Sequence, residues 1–334
     1  MNESNNEQHS GQNQSLKDMI LNKLTMGKLV FLCVISMALC SVGPLSVFAP
    51  VPLAMAFLLF GRAKTGGIVA GFTTILFAVA LTKPEMRQLM QVGTFFVLAT
   101  IYAVLASLVV SKRLHPVQGL FRYGIYMLSF IAVFVGLFTL TSEGTLHGQL
   151  ESYLTVAFDT FKSEDAYKML VDAGGERAIF IQEAFEKPGE FASEILNWSF
   201  SAIFVGTFFG LWITMFMVLR NALIWKEVYN YDYTLSDLVN FKVPEKLVLG
   251  VIAGLALVVG GEYLGETATV IGMNALYCLG LFYFFQGFGI YVALLDHLKI
   301  SVIFRSILIV MTIFMGYQIV TLVGVFDMWV VFRK

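Results

Sequence analysis

Charge is scarce in this chain: Asp, Glu, Lys and Arg together make up 13% of its 334 residues, against roughly 25% in soluble domains. So few charges cannot cover a water-facing surface. With 57% hydrophobic residues and a mean hydropathy of +0.77, the chain belongs in a bilayer. Its net charge of −1 supplies no basic face for nucleic acid, so none is an expected partner. Cysteine is rare, and Cys33, Cys40 and Cys278 all lie in apolar runs, which suits small buried hydrophobes rather than a disulfide framework or a metal site. The four histidines, His9, His115, His147 and His297, make no ligand pair of the HExxH kind. A GxSxG elbow, a P-loop and an acidic metal cluster are missing too. Without converging titratable groups inside the apolar runs, the expectation is a protein that is not an enzyme, with no catalytic residue, metal or cofactor.

What is present is a series of uncharged runs, at residues 29–61, 65–82, 88–111, 123–142, 195–219, 247–261, 267–295 and 306–326. A perpendicular crossing takes about 20 apolar residues, so the first run is too long for one. Splitting it near residues 43–44 gives an all-α, polytopic transmembrane helix bundle of eight to nine segments. Three of the seven prolines, Pro44, Pro50 and Pro52, fall in that first run, and the other four fall in polar connections. Proline removes a donor and clashes one turn back, and it pushes the preceding residue towards extended geometry. A Pro-broken or re-entrant segment near the N-terminus is therefore predicted. Irregular backbone at membrane depth persists where it is buried in protein or lines a cavity, and carriers place substrate beside such breaks.

Four regions follow. Residues 1–25 form a polar cytoplasmic tail, disordered by composition. Residues 26–142 and 195–334 are membrane helices. Residues 143–194 form an acidic insertion, with apolar residues at helical spacing and Gly174–Gly175 between two predicted amphipathic helices. Lysine and arginine cluster at residues 17–28, 62–64, 112–122, 220–246 and 299–305. Alternation through nine crossings puts all five clusters on one side, so a bacterial inner-membrane protein with its N-terminus cytoplasmic and its C-terminus external is expected. Trp225, Tyr229, Tyr231 and Tyr233, in the cytoplasmic connection, read as interfacial anchors.

Inside the spans, polarity is mostly uncharged. Amides in lipid are costly and turn inward, so Asn274 and Gln286, with Trp198 and Tyr283, are candidates to line a cavity for a small uncharged or polar metabolite, beside the break at Pro50 and Pro52. Interhelical packing is the alternative role for the same amides. Gly250 and Gly254, with Gly260 and Gly261 two turns on, mark close helix approach, as do Gly280 and Gly287.

The segments APVPLAMAFLLFGRAKTGGIVAG, LFYFFQGFGIYVALLDHLK and GVFDMWVVFRK together resemble the YybS-like group of bacterial multi-span membrane proteins. At fold level that group is similar to the substrate-capturing S components of energy-coupling-factor transporters and, more distantly, to the rod-shape protein MreD. The resemblance implies a bundle that binds a small molecule and works with membrane or ATPase partner subunits. Ser36, Ala38 and Cys40 stand where an S component often carries an Ala-xxx-Ala docking face, and the acidic insertion is extra. Two functions are thus in view: a metabolite-binding carrier, or a scaffold recruiting envelope or division proteins.

Overall fold

The computed structural model describes residues 24–83, 86, 88–141, 144–163, 165–172 and 174–330. Residues 1–23, most of the predicted tail, and the closing residues 331–334, with Arg333 and Lys334, lie outside them. Regular structure among the described residues is helical, with no strands. The helices are α1 (Met26–Cys40), α2 (Pro50–Phe60), α3 (Arg62–Thr82), α4 (Gln88–Ser111), α5 (Pro116–Thr141), α6 (Leu146–Lys162), α7 (Asp165–Asp172), α8 (Glu176–Glu186), α9 (Pro188–Leu219), α10 (Ala222–Tyr229), α11 (Leu235–Val239), α12 (Leu247–Val259), α13 (Gly261–Leu264), α14 (Glu266–His297), α15 (Val302–Met315) and α16 (Tyr317–Phe326).

Each of the nine apolar segments is helical, but they are not equally long. Among the described residues six helices, Gly43–Phe60 among them, are long and apolar enough to cross a membrane, and the bent pair α15–α16 makes a seventh if taken as one span. α1 and α12 have 15 and 13 residues, about 20 Å of helix, which is short of a hydrocarbon core of roughly 30 Å. The predicted count of eight to nine therefore becomes six to seven on length. α15 and α16 turn by 88° at Gly316, a bend the unbroken apolar run 306–326 did not announce.

The proline-rich stretch also departs from expectation. Pro44 opens a 3₁₀ helix, Gly43–Phe48, and Pro50 opens α2. First-turn N–H groups have no partner inside the helix, so proline there forfeits nothing and its fixed φ seeds the turn. The predicted unwound segment shrinks to Ser41 and Val42, and residues 41–45 are exposed rather than sheltered. Two buried hydroxyls fasten the neighbouring turns: Ser36 Oγ donates to the Ala49 carbonyl at 2.7 Å and Thr65 Oγ1 to the Ala56 carbonyl at 3.1 Å.

The chain forms two compact units. The first comprises the described residues up to Ile125, Thr207–Val243 and the chain from Tyr283 onward. Here α2 packs on α4 and α1, and α4 also packs on α3. Trp212 is the hub of an aromatic core, its ring centroid 5.0 Å from Phe285, 4.8 Å from Phe288 and 5.4 Å from Phe216. The connection after α9 belongs to this core, a correction to the anchor reading: Trp225 and Tyr231 are 0% and 1% exposed. Trp225 Nε1 donates to the Val218 carbonyl, Tyr231 Oη to Leu114 and Tyr229 Oη to Leu58.

Burial pushes the Tyr231 phenol up, helped by Asp237 and Tyr233, and burial raises Tyr229 against a smaller opposing pull from Arg62. A folded-state pKa above the unfolded value of about 10 means that the unfolded chain releases the proton first. That stability is therefore intact below about pH 10 and is lost as pH rises further. The melting temperature is expected to decline on the alkaline side. The Tyr229→Phe/Tyr231→Phe double variant is expected to start lower, having lost two hydrogen bonds, but to decline less. An identical alkaline slope in the double variant would exclude these phenols as the cause.

The second unit comprises Tyr126–Gly206 and Pro244–Phe282. In it α12 lies close along α14: a Cβ at Gly250 would touch Leu279, one at Gly254 would touch Leu276, and one at Gly272 would lie 2.7 Å from the Gly254 carbonyl. The small residues are there to let the backbones meet. The acidic insertion folds as three helices, α6 to α8, rather than two, because the chain turns after Lys162 as well as at Gly174–Gly175. Phe158, Phe161, Tyr167, Phe185 and Phe191 gather its inner faces, with Phe158 stacked on Phe185 at 4.1 Å.

Candidate functional site

Helical spacing alone puts Glu190, Ser193, Glu194, Asn197 and Trp198 on one stripe of α9, at i, i+3, i+4, i+7 and i+8. Glu266, Thr269 and Val270 do the same at the start of α14. In the second unit these stripes face each other across a cavity of about 480 Å³. Its lining offers three carboxylates, two hydroxyls, an amide and an indole.

Asn274, one turn beyond Val270, is buried beneath this lining and ties the two helices. Its Nδ2 donates to the Asn197 carbonyl at 2.8 Å and to the Val270 carbonyl at 2.9 Å, while its Oδ1 accepts the Ser201 N–H at 3.0 Å. Asn197 and Ser201 are the carbonyl and N–H that would close one turn of α9, so the side chain bridges that turn and fixes the register of α9 on α14. Trp198 is held edge-on against Tyr277, with centroids 5.5 Å apart.

At the N-terminal end of the same stripe, α6 docks on α9. His147 Nε2 lies 3.1 Å from the Gly189 carbonyl and 2.9 Å from Ser193 Oγ, and His147 Nδ1 lies 3.7 Å from Glu151. A Cβ at Gly189 would meet the Glu151 carboxylate at 2.9 Å, so glycine admits α6 at this point. The three side chains share the partner order of a nucleophile, base and carboxylate. However, Ser193 Oγ donates back to Gly189 and the same carbonyl faces the imidazole, an arrangement that joins two helices. Lys187 pairs with Glu190 at 3.2 Å, both largely exposed, a contact of little energetic weight. Among the described residues, no three acidic, His or Cys side chains are placed to hold a metal ion.

Of the six residues singled out from sequence, Trp198 lines the cavity and Asn274 supports it. The other four lie in the first unit. Pro50 is buried and Pro52 half-buried in the first turn of α2. Tyr283 Oη reaches Met328 Sδ at 3.5 Å. Gln286 is 3% exposed: its Oε1 accepts the Val243 N–H at 2.7 Å, and its Nε2 donates to the Gly324 carbonyl at 3.2 Å and to Asp327 Oδ2 at 2.9 Å. An amide with donors and acceptor all engaged is a structural knot, the packing alternative weighed above. The glutamates of the cavity escaped notice because each sits in the polar margin of an apolar run. The signal was there in the i, i+4, i+8 spacing of Glu190, Glu194 and Trp198.

Comparison with known families bears on the chain as a whole. Residues 29–328, nearly all of its helical part, match a family described as predicted membrane protein (DUF2232). The chain belongs to the DUF2232 family. It is thus an integral, multi-pass membrane protein, in keeping with its six to seven spans. No curated protein and no solved structure gives this DUF2232 chain a significant match.

Proposed function

We propose that this protein is a carrier component of the bacterial inner membrane, N-terminus cytoplasmic, that binds a small polar metabolite in the cleft between α9 and α14 and passes it on with partner subunits, in the manner of a transporter S component. One observation carries the reading: a ligand-sized cavity lies between two membrane helices, and its walls hold a few polar groups and one indole, the make-up of small-molecule sites. The Asn274 bridge supports it by fixing the two walls in register. Carboxylates, hydroxyls and an amide oxygen favour a ligand rich in hydrogen-bond donors. The resemblance of the Pro-rich and C-terminal segments to the S components supports a role in uptake.

A thermal-shift screen of the purified protein against amines, amino acids, sugars, vitamins and nucleobases tests this. A binder is expected to raise the melting temperature, since ligand that binds only the folded state stabilises it, and to quench the Trp198 fluorescence that disappears in Trp198→Phe. Trp198→Ala is expected to weaken binding by about fivefold, as loss of an aromatic contact of roughly 1 kcal/mol does. A binder unaffected by Trp198→Ala would place the site elsewhere, and no binder at all would sink the carrier reading. The second reading, a scaffold, is favoured by exposed apolar residues on α6 to α8, namely Tyr153, Val156, Met169 and Phe180. It expects a silent screen, together with loss of co-purifying proteins when those four residues become serine.

A further inference from the structure

Three helix ends meet where α2 gives way to α3 and α4 finishes. Gly61, at φ +84°, is the single residue between α2 and α3. Arg62 then donates through Nη2 to Ser111 Oγ at 2.7 Å, binding the start of α3 to the end of α4. Two residues on, Arg113 Nε donates to the Tyr229 carbonyl at 2.8 Å, and Tyr229 Oη donates to the Leu58 carbonyl at 2.6 Å, which draws in α10 and closes the ring of contacts back on α2. Five exposed cations belong to these joined ends: Arg62 and Arg113, and, within three residues of the bonded groups along the chain, Lys64, Lys112 and Lys226. None forms an ion pair with a described residue. The acidic residue within this group is Glu227, beside Lys226.

Like charges brought together repel, and Glu227 offsets one of the five. Among the described residues each guanidinium group makes one hydrogen bond, which leaves the rest of its fork for an anion. Their height in the fold says which anion. Gly43–Phe60, Arg62–Thr82 and Gln88–Ser111 each qualify as membrane spans, so the ends at Phe60, Arg62 and Ser111 fall where apolar sequence stops and headgroups begin. The start of α3, a 21-residue helix, adds its positive end.

We propose that this cluster is a binding site for the phosphate of an anionic phospholipid headgroup. Arg62 and Arg113 grip the phosphate oxygens, and Lys64, Lys112 and Lys226 supply the surrounding field. The acyl chains then run down the apolar flank of α2 to α4.

The test is native mass spectrometry of the purified full chain, equilibrated with equal amounts of phosphatidylglycerol and phosphatidylcholine, beside thermal shifts in each lipid and in inorganic phosphate. Phosphatidylglycerol is expected to be retained at least about fivefold over phosphatidylcholine, and to lose that preference in high salt, as a screened electrostatic contact does. Arg62→Gln/Arg113→Gln is expected to abolish the preference. Lys64→Gln/Lys112→Gln/Lys226→Gln, which touches no hydrogen bond of the fold, is expected to reduce it and serves if the arginine variant fails to fold. Lys299→Gln, a basic residue outside the cluster, is expected to leave it unchanged. Equal retention of the two lipids, or a preference left undiminished by the triple lysine variant, overturns the proposal. So does equal protection by inorganic phosphate, which would make this a site for soluble anions.

Discussion

Gly287→Leu is expected to unseat α16 from α14 and, with its counterpart at Gly324, to rank among the most damaging glycine substitutions at the described residues. A Cβ at Gly287 would overlap the Val320 carbonyl oxygen and lie 2.8 Å from Gly324 N, and a Cβ at Gly324 would overlap the Tyr283 carbonyl oxygen. What a new side chain meets here is backbone on the facing helix, which cannot swing aside as a side-chain tip can. Overpacking usually costs about 1–3 kcal/mol, and this site should lie at or above the top of that range. Gln286 makes the loss cooperative, because its bonds to Gly324 and Asp327 need the same close approach, and a buried amide left unpaired costs roughly another 1–3 kcal/mol. Thermal denaturation in detergent checks the magnitude. Gly206→Leu is the control, since a Cβ there meets nothing within 4 Å. If the two variants melted together, α16 would not be seated as described.

Trp212→Ala is expected to be comparably damaging, at about 3–5 kcal/mol for an aromatic removed from a core, whereas Trp212→Phe is expected to be close to neutral. Trp212 is 1% exposed and touches the rings of Phe209, Phe216, Phe284, Phe285 and Phe288. Its Nε1 is buried without a hydrogen-bond partner among the described residues. Phenylalanine keeps most of the ring contacts and removes that unsatisfied donor, so a modest loss of packing is offset by relief of a penalty of about 1–3 kcal/mol. Chemical and thermal melts of the two variants decide it. A Phe variant as unstable as the Ala variant would show that the indole N–H has a partner after all.

Much of the fold was legible in the sequence. The nine apolar segments are helices because runs such as 88–111 leave backbone groups no partner in lipid except their own. The glycines of α12 were readable as a contact face because Gly250 and Gly254 repeat at helical spacing. The partnership of Gly287 with Gly324 was not, since only tertiary structure brings residues 37 apart in sequence to one crossing. The prolines misled for a local reason: Pro50 starts a turn, and a residue that would break a helix from within seeds one from its end. Tyr231 and Trp225 misled for another, because the composition of a loop does not reveal whether the loop folds back into the core. The candidate site was half visible. Trp198 and Asn274 stand out as polar groups within apolar runs, whereas the three glutamates opposite and beside them blend with the charged margins.

The joint at Gly61 leaves α2 and α3 with one residue between them, in a backbone conformation that L-residues seldom adopt. With no linker to share the strain, any change in the tilt of one helix against the other must be taken up by the torsions of this single residue.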